Sequence, residues 1–364
     1  MKNGREDVKG TGFGKMLAAL SGVAIVSLCA IGAQAQEKKF IAQGGAPVPY
    51  TGFLSVYVGQ QAGLFKQEGL DVEMRYASGA PQATQITAAN QADVALVTVE
   101  PTINGYDKGL RGKIFSRINN ELIYYIGVPE DSPIKTVEDL KGKKIGVASF
   151  GSAAVPVVRS ILRSAGIEPQ SDTLLPVGVM DQAMAALKSG SVQALGLYDG
   201  IYFALERAGV KFRYFRHPTL ANFGNTGLFA SDETIKTKRD DLCKFGRAYA
   251  KATLFAQTNP EAAVRLYWKA VPAARRGADD AEALKNGLIE VKPMLNVFNI
   301  GFPPKTKFGE IDKVAFAKYM ELNKQEGVIA SLPPLDAVVT NDLIACINDF
   351  DGDKVREAAR NWKP

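Results

Sequence analysis

The sequence predicts an α/β fold made of two doubly wound lobes with a hinge between them and a helical C-terminal part. Strand and helix signals alternate in two successive series between residues 39 and 215, with an extended apolar segment, Ile114 to Val128, between them. From Asp232 onward the periodicity is almost wholly helical. Apolar residues make up 46% of the 364, and a chain of that length exceeds what one hydrophobic core usually serves.

The first series opens with a strand over 39–43, which enters a loop from Gly44 to Gly52. Leu54, Tyr57, Val58, Ala62 and Phe65 then share one helical face. The run Leu70-Asp71-Val72-Glu73-Met74-Arg75-Tyr76 alternates apolar and polar residues, as a strand covered on one face does. A helix over 81–90 and a buried strand over 93–98 follow.

In the second series, 136–140 makes a helical turn closed by Gly142, and Lys144 to Ser149 forms a strand. Ser152 stands as an N-cap ahead of the stripe Val155, Val158, Ile161, Leu162 and Ala165, which ends at Gly166. A strand over 172–177, a helix capped by Asp181, a strand over 192–198, a helix over 200–208 and a strand over 211–215 complete it. Beyond Asp232, helices are expected near 240–258, 260–270, 279–292, 311–325 and 340–347, with a last one begun by Asp353 as its cap.

The first 35 residues read as an export signal. Lys2, Arg5, Lys9 and Lys15 give a basic start, Met16 to Ile31 is uncharged and largely apolar, and Ala33-Gln34-Ala35 is a small-residue cleavage site. The apolar stretch is short for a bilayer span and runs into Gly32, Gln34 and Gln36. The secreted protein is expected to begin at Gln36 in the periplasm. Removing the leader turns a formal charge of +6 into about +4, spread along the chain, which argues against a nucleic-acid footprint. Cys243 and Cys346 remain; an oxidising compartment permits a bridge, but the default expectation is two separate buried thiols.

Several chemistries are excluded. One histidine, His217, rules out a multi-histidine metal site, and two cysteines cannot build a four-cysteine zinc site. There is no phosphate-binding G-x-x-x-x-G-K-[ST] loop and no G-x-S-x-G elbow. His217, between Arg216 and Pro218, reads as an exposed loop or hinge residue rather than a general base. Asp349, Asp351 and Asp353 begin with calcium-loop spacing, but Lys354 stands where the turn glycine belongs and Arg360 where the closing glutamate belongs. No cofactor or metal is expected.

The segments QQAGLFKQEGLDV (60–72), SPIKTVEDLKGKKIGV (132–147) and FGRAYAKATLFAQTNPEAAV (245–264) resemble the periplasmic solute-binding proteins of ABC transporters for sulfonates, nitrate and thiamine-precursor pyrimidines. The resemblance implies a type II periplasmic binding protein, with lobe one formed by 36–120 plus 222–364, lobe two by 121–221, and hinge crossings near Asn120 and Asn222. It also implies a small-molecule ligand, a membrane permease as partner, and a monomer. Ligand contacts then map by position to Pro49, Tyr50 and Thr51; Gly79 and Gln82; Thr98 and Glu100; Phe150, Gly151 and Ser152; Met180; Tyr198 and Asp199; and Asn222, Phe223 and Asn225.

The aromatic residues of that set, Tyr50, Phe150, Tyr198 and Phe223, offer flat faces to a ring. Glu100 and Asp199 can accept from an amino or ring N–H, and Gly151 and Ser152 can donate from a helix start to an anionic group. No arginine falls among the mapped loops, although Arg75, Arg117 or Arg159 can reach a cleft; the expectation is an aromatic or heteroaromatic solute rather than a bare oxyanion. The runner-up functions are a pyrimidine-metabolising enzyme on the same fold and an oxyanion receptor. A regulator's sensor domain would need an attached DNA-binding or membrane module.

Overall fold

The computed structural model describes residues 39–298 and 307–364, so the expected export signal lies outside the described residues. The described residues begin with β1 (Phe40–Gly44), α1 (Leu54–Gln61), α2 (Leu64–Gln67), β2 (Val72–Tyr76), α3 (Ala80–Ala88), β3 (Val94–Thr98), α4 (Glu100–Gly105) and β4 (Lys113–Arg117). It continues through β5 (Tyr124–Pro129), β6 (Ile145–Val147), α5 (Ala154–Ser164), β7 (Leu174–Pro176), α6 (Asp181–Lys188), β8 (Ala194–Tyr198), α7 (Asp199–Arg207), β9 (Phe212–Phe215) and β10 (Thr226–Ala230). The helices α8 (Asp232–Thr237), α9 (Arg239–Thr258), α10 (Pro260–Ala270), α11 (Asp280–Val297), α12 (Lys313–Gln325), α13 (Leu335–Val338), α14 (Ile344–Ile347) and α15 (Gly352–Arg360) follow.

Two five-stranded sheets result, ordered β2-β1-β3-β10-β4 and β7-β6-β8-β5-β9. Each has four strands running in one direction and one antiparallel insertion: β10 runs against β3 and β4, and β5 runs against β8 and β9. The parallel strand β3 is buried along almost its whole length, because helices cover both faces of such a sheet. β2 lies at an edge, where its alternating sequence fits one covered face.

Local chemistry explains where the observed elements depart from the expected ones. The face from Leu54 to Phe65 is split into α1 and α2 by Gly63, which takes a left-handed φ of 73°. Ser152 stands one residue before the N-cap of α5, which is Ala153 rather than the expected Ser152, and its Oγ accepts from Ala154 N at 3.2 Å. Asp181 is instead the first residue of α6, after Met180, and the last helix is capped by Asp351, not Asp353: Asp351 accepts from the amides of Asp353 and Lys354. The helix expected over 340–347 is shortened to α14, Ile344–Ile347, with α13 standing before the expected span.

The main core packs β1–β3 against α1, α9, α10 and α11. A second core is continuous from Ile126 and Val147 of the second sheet and Val158 of α5 to Phe316, Tyr319 and Met320 of α12, so α12 bridges the two halves. Arg163 of α5 adds an ion pair with Glu326, just past α12.

Cys243 and Cys346 form a disulfide, which overturns the expectation of two separate thiols. Their Cα atoms lie 5.5 Å apart because α14 packs on α9. Gly246 permits that approach: a Cβ there would lie 2.6 Å from Ile347 Cγ1.

Candidate ligand-binding cleft

A cleft of about 1270 Å³ opens between the two sheets. It is walled mainly by loops beyond the carboxyl ends of β1, β3, β6, β7 and β8, where α/β folds expose helix starts and free backbone amides. Nine of the mapped residues line it: Tyr50, Thr98, Glu100, Phe150, Gly151, Ser152, Met180, Tyr198 and Asp199.

Tyr50 is placed by its neighbours. Its ring lies over Gly52, where a Cβ would come within 2.2 Å of it, and meets Phe53 edge-on at 4.7 Å between centroids. Phe150 and Met180 stand on the opposite wall. Met180 holds a positive φ of 51°, uncommon for a side chain with a Cβ and a conformation that costs energy and persists only where its surroundings impose it.

Glu100, at the start of α4, is 95% buried. Its Oε1 accepts from Asn225 Nδ2 at 3.0 Å and from the Tyr319 hydroxyl at 2.5 Å, while Oε2 has no hydrogen-bond partner. The Glu100 charge, after burial, holds the neighbouring Tyr124 phenol well above its ordinary pKa.

Asp199 caps no remote helix; its Oδ1 accepts from Gly200 N at 2.6 Å and its own amide donates to Ile123 O. Burial pushes its carboxyl up to about 7, against the opposing influence of the Gly200 amide and the Arg216 charge. Because the folded carboxyl titrates above the unfolded one, the folded state holds the extra proton between about pH 4 and 7. Stability therefore declines as pH rises through that window and is level above it. Asp199→Asn is expected to abolish the decline and to stabilise the protein at pH 8 by on the order of 3 kcal/mol. Urea unfolding at pH 5 and 8 measures this; parallel pH dependences for the two proteins would contradict it.

The other mapped residues stand elsewhere. Thr51 is buried beneath the loop, Gln82 is exposed and accepts from Ser78 N, and Asn222 is exposed. Pro49 and Gly79 are not part of the wall. Phe223 is buried against Phe316 and Tyr319 in the core that joins the halves. Asn225 is fully buried, bonded to Glu100 and to Ile123 N, and so positions other residues. His217, expected to be exposed, is 8% exposed. Its Nδ1 faces the amides of Thr219 and Leu220 and its Nε2 lies 3.0 Å from Ser160 Oγ, which makes it a turn cap.

Sequence reasoning missed Asn104, Tyr124 and Asn323, all in the wall. Asn104 had a signal, one helical turn from Glu100; Asn323 had none, since it arrives from α12. Of the three arginines, Arg75 pairs with Glu73 and Arg117 donates to Glu310 O, but Arg159 of α5 does line the cleft.

Residues 50–263 match the family described as NMT1/THI5 like. A Bacillus subtilis protein named for aliphatic sulfonate binding is 29% identical over 213 residues, 56% of this chain and 61% of its own length. The 4-amino-5-hydroxymethyl-2-methylpyrimidine phosphate synthase THI11 of Saccharomyces cerevisiae is 24% identical over 241 residues, 61% of this chain and 67% of its own. The periplasmic aliphatic sulphonate binding protein SsuA of Escherichia coli superposes with a TM-score of 0.63 at 18% identity, covering 82% of this chain and 91% of that one, and so shares its fold. With the matched segment taking in more than half of its length, the chain belongs to the NMT1/THI5-like family.

Proposed function

We propose that this chain is a periplasmic receptor that captures a small ring-containing organic solute and delivers it to the permease of an ABC importer. The observation that carries the reading is the cleft, walled from both sheets by aromatic faces, Tyr50 on one side and Phe150 and Tyr198 on the other. The large apolar side chains Val48, Tyr50, Phe150 and Met180 are exposed at its lining, and closing the lobes on a ligand would remove them from water. Lobe two is residues 121–221, and the two crossings run side by side: Leu122 N donates to Ala221 O and Ile118 N to Thr226 O. Export supplies the oxidising compartment that suits the disulfide.

Catalysis of the yeast synthase kind has less support. The histidine is committed to a turn and the two cysteines described are joined to each other, away from the cleft.

A thermal-shift screen over pyrimidines, aromatic acids, alkyl sulfonates and nitrate tests the reading. A ring compound at about 100 times its dissociation constant should add roughly 2.7 kcal/mol of stability and compact the protein in small-angle scattering. Tyr198→Ala should weaken that binding. A response to nitrate or alkyl sulfonates alone would reject the ring, and multiple turnovers of any of these compounds would reject the receptor.

A further inference from the structure

The cleft's polar inventory is unbalanced. Three acceptor oxygens belonging to its lining residues are buried and meet no donor: Glu100 Oε2, Asn104 Oδ1 and Asn323 Oδ1. The Asn323 amide is oriented by its own N–H, which donates to Tyr319 O at 2.7 Å, so the oxygen is the end left over. Glu100 is oriented likewise, because Asn225 and Tyr319 occupy Oε1. The three are linked: Glu100 and Asn104 are one turn apart on α4, and Tyr319 touches Glu100 while Asn323 lies one turn further along α12.

The α5 side of the cleft carries the complementary surplus. Arg159 of α5 is half-buried, lines the same cleft, and has no acidic partner among the described residues. Its neighbour one turn on, Arg163, is already occupied by Glu168 and Glu326. The remaining charged groups of the lining are Lys108, Asp199 and Glu326, the last neutralised by Arg163.

Buried acceptors without donors are costly, and a ligand that brings donors removes the cost. A carboxylate turns easily about its last torsion, so a small rotation lets Glu100 meet an arriving N–H. Resting on the receptor reading above, we infer that the solute is two-poled: a donor-rich nitrogen edge, such as an amidine or amino-heterocycle, seats against Glu100, Asn104 and Asn323, and an anionic substituent pairs with Arg159. A simple sulfonate or nitrate offers only the second pole and sets its charge against the Glu100 carboxylate.

Calorimetric titration with 4-amidinobenzoate, benzamidine, benzoate and benzenesulfonate tests this. The two-poled probe should bind at least about tenfold more tightly than either one-poled probe, the factor expected for one added charge-assisted hydrogen bond. Glu100→Gln should erase its advantage over benzoate, and Arg159→Met, on a half-buried helix face, its advantage over benzamidine. Benzoate or benzenesulfonate binding as tightly as 4-amidinobenzoate overturns the two-poled ligand while leaving the ring receptor standing. Binding by none of the four, with a response in the wider screen only to nitrate or alkyl sulfonates, overturns both.

Discussion

Gly224→Ala is expected to destabilise the protein by about 3 kcal/mol or more, one of the largest effects of any single methyl group in the molecule. Its Cβ would lie 1.8 Å from the carbonyl oxygen of Asn119 and 2.8 Å from the carbonyl carbon. Those atoms are backbone, and the Asn119 side chain is itself fixed, accepting from Thr226 N and donating to Glu121 O. Neither chain can yield without separating the two crossings between the sheets. Urea unfolding measures the loss, and Gly200→Ala is the control: its Cβ would meet only the Tyr198 ring, at 3.4 Å, and should cost far less. Equal costs at the two positions would show that the crossings can part freely.

Replacing both Cys243 and Cys346 with alanine is expected to cost about 2–5 kcal/mol. The bridge closes a loop of 103 residues, long enough for the unfolded chain to gain substantial freedom when the link is lost. Both residues sit in the α9–α14 contact, so the packing itself survives and the loss should appear mainly as a lower urea midpoint. Thiol titration of the denatured wild-type protein should find no free sulfhydryl at these two positions. Two free thiols, or a double variant as stable as the parent, would contradict the bridge's role.

The alternating βα series was legible because parallel strands and the helices covering them each carry a distinct apolar period, as in β3 and the stripe of α5. β10 was not: Thr226-Gly-Leu-Phe-Ala is short, holds a glycine, and becomes a strand only through pairing with β3 and β4. The cleft divides in the same way. Residues immediately after strands, such as Glu100 and Asp199, could be placed from local sequence, since topology puts strand ends at the cleft. Asn225 and Phe223 do not line the cleft, because nearness to a crossing does not say whether a side chain turns toward the cleft or the core. The disulfide depended on a contact between helices 103 residues apart, which no local pattern encodes.

The order of strands in the first sheet has a consequence for how the chain assembles as it emerges, N-terminus first. β1 to β4 appear first, yet β3 and β4 are not neighbours; β10 must fill the gap between them. The second sheet, drawn wholly from residues 124–215, has all its strands before β10 arrives. The half that contains the chain's first strand is therefore the half completed last, and until then it presents two unpaired strand edges. Non-local pairing of this kind is slow, so the exposed edges of β3 and β4 define the interval in which the newly made chain is most open to aggregation and proteolysis.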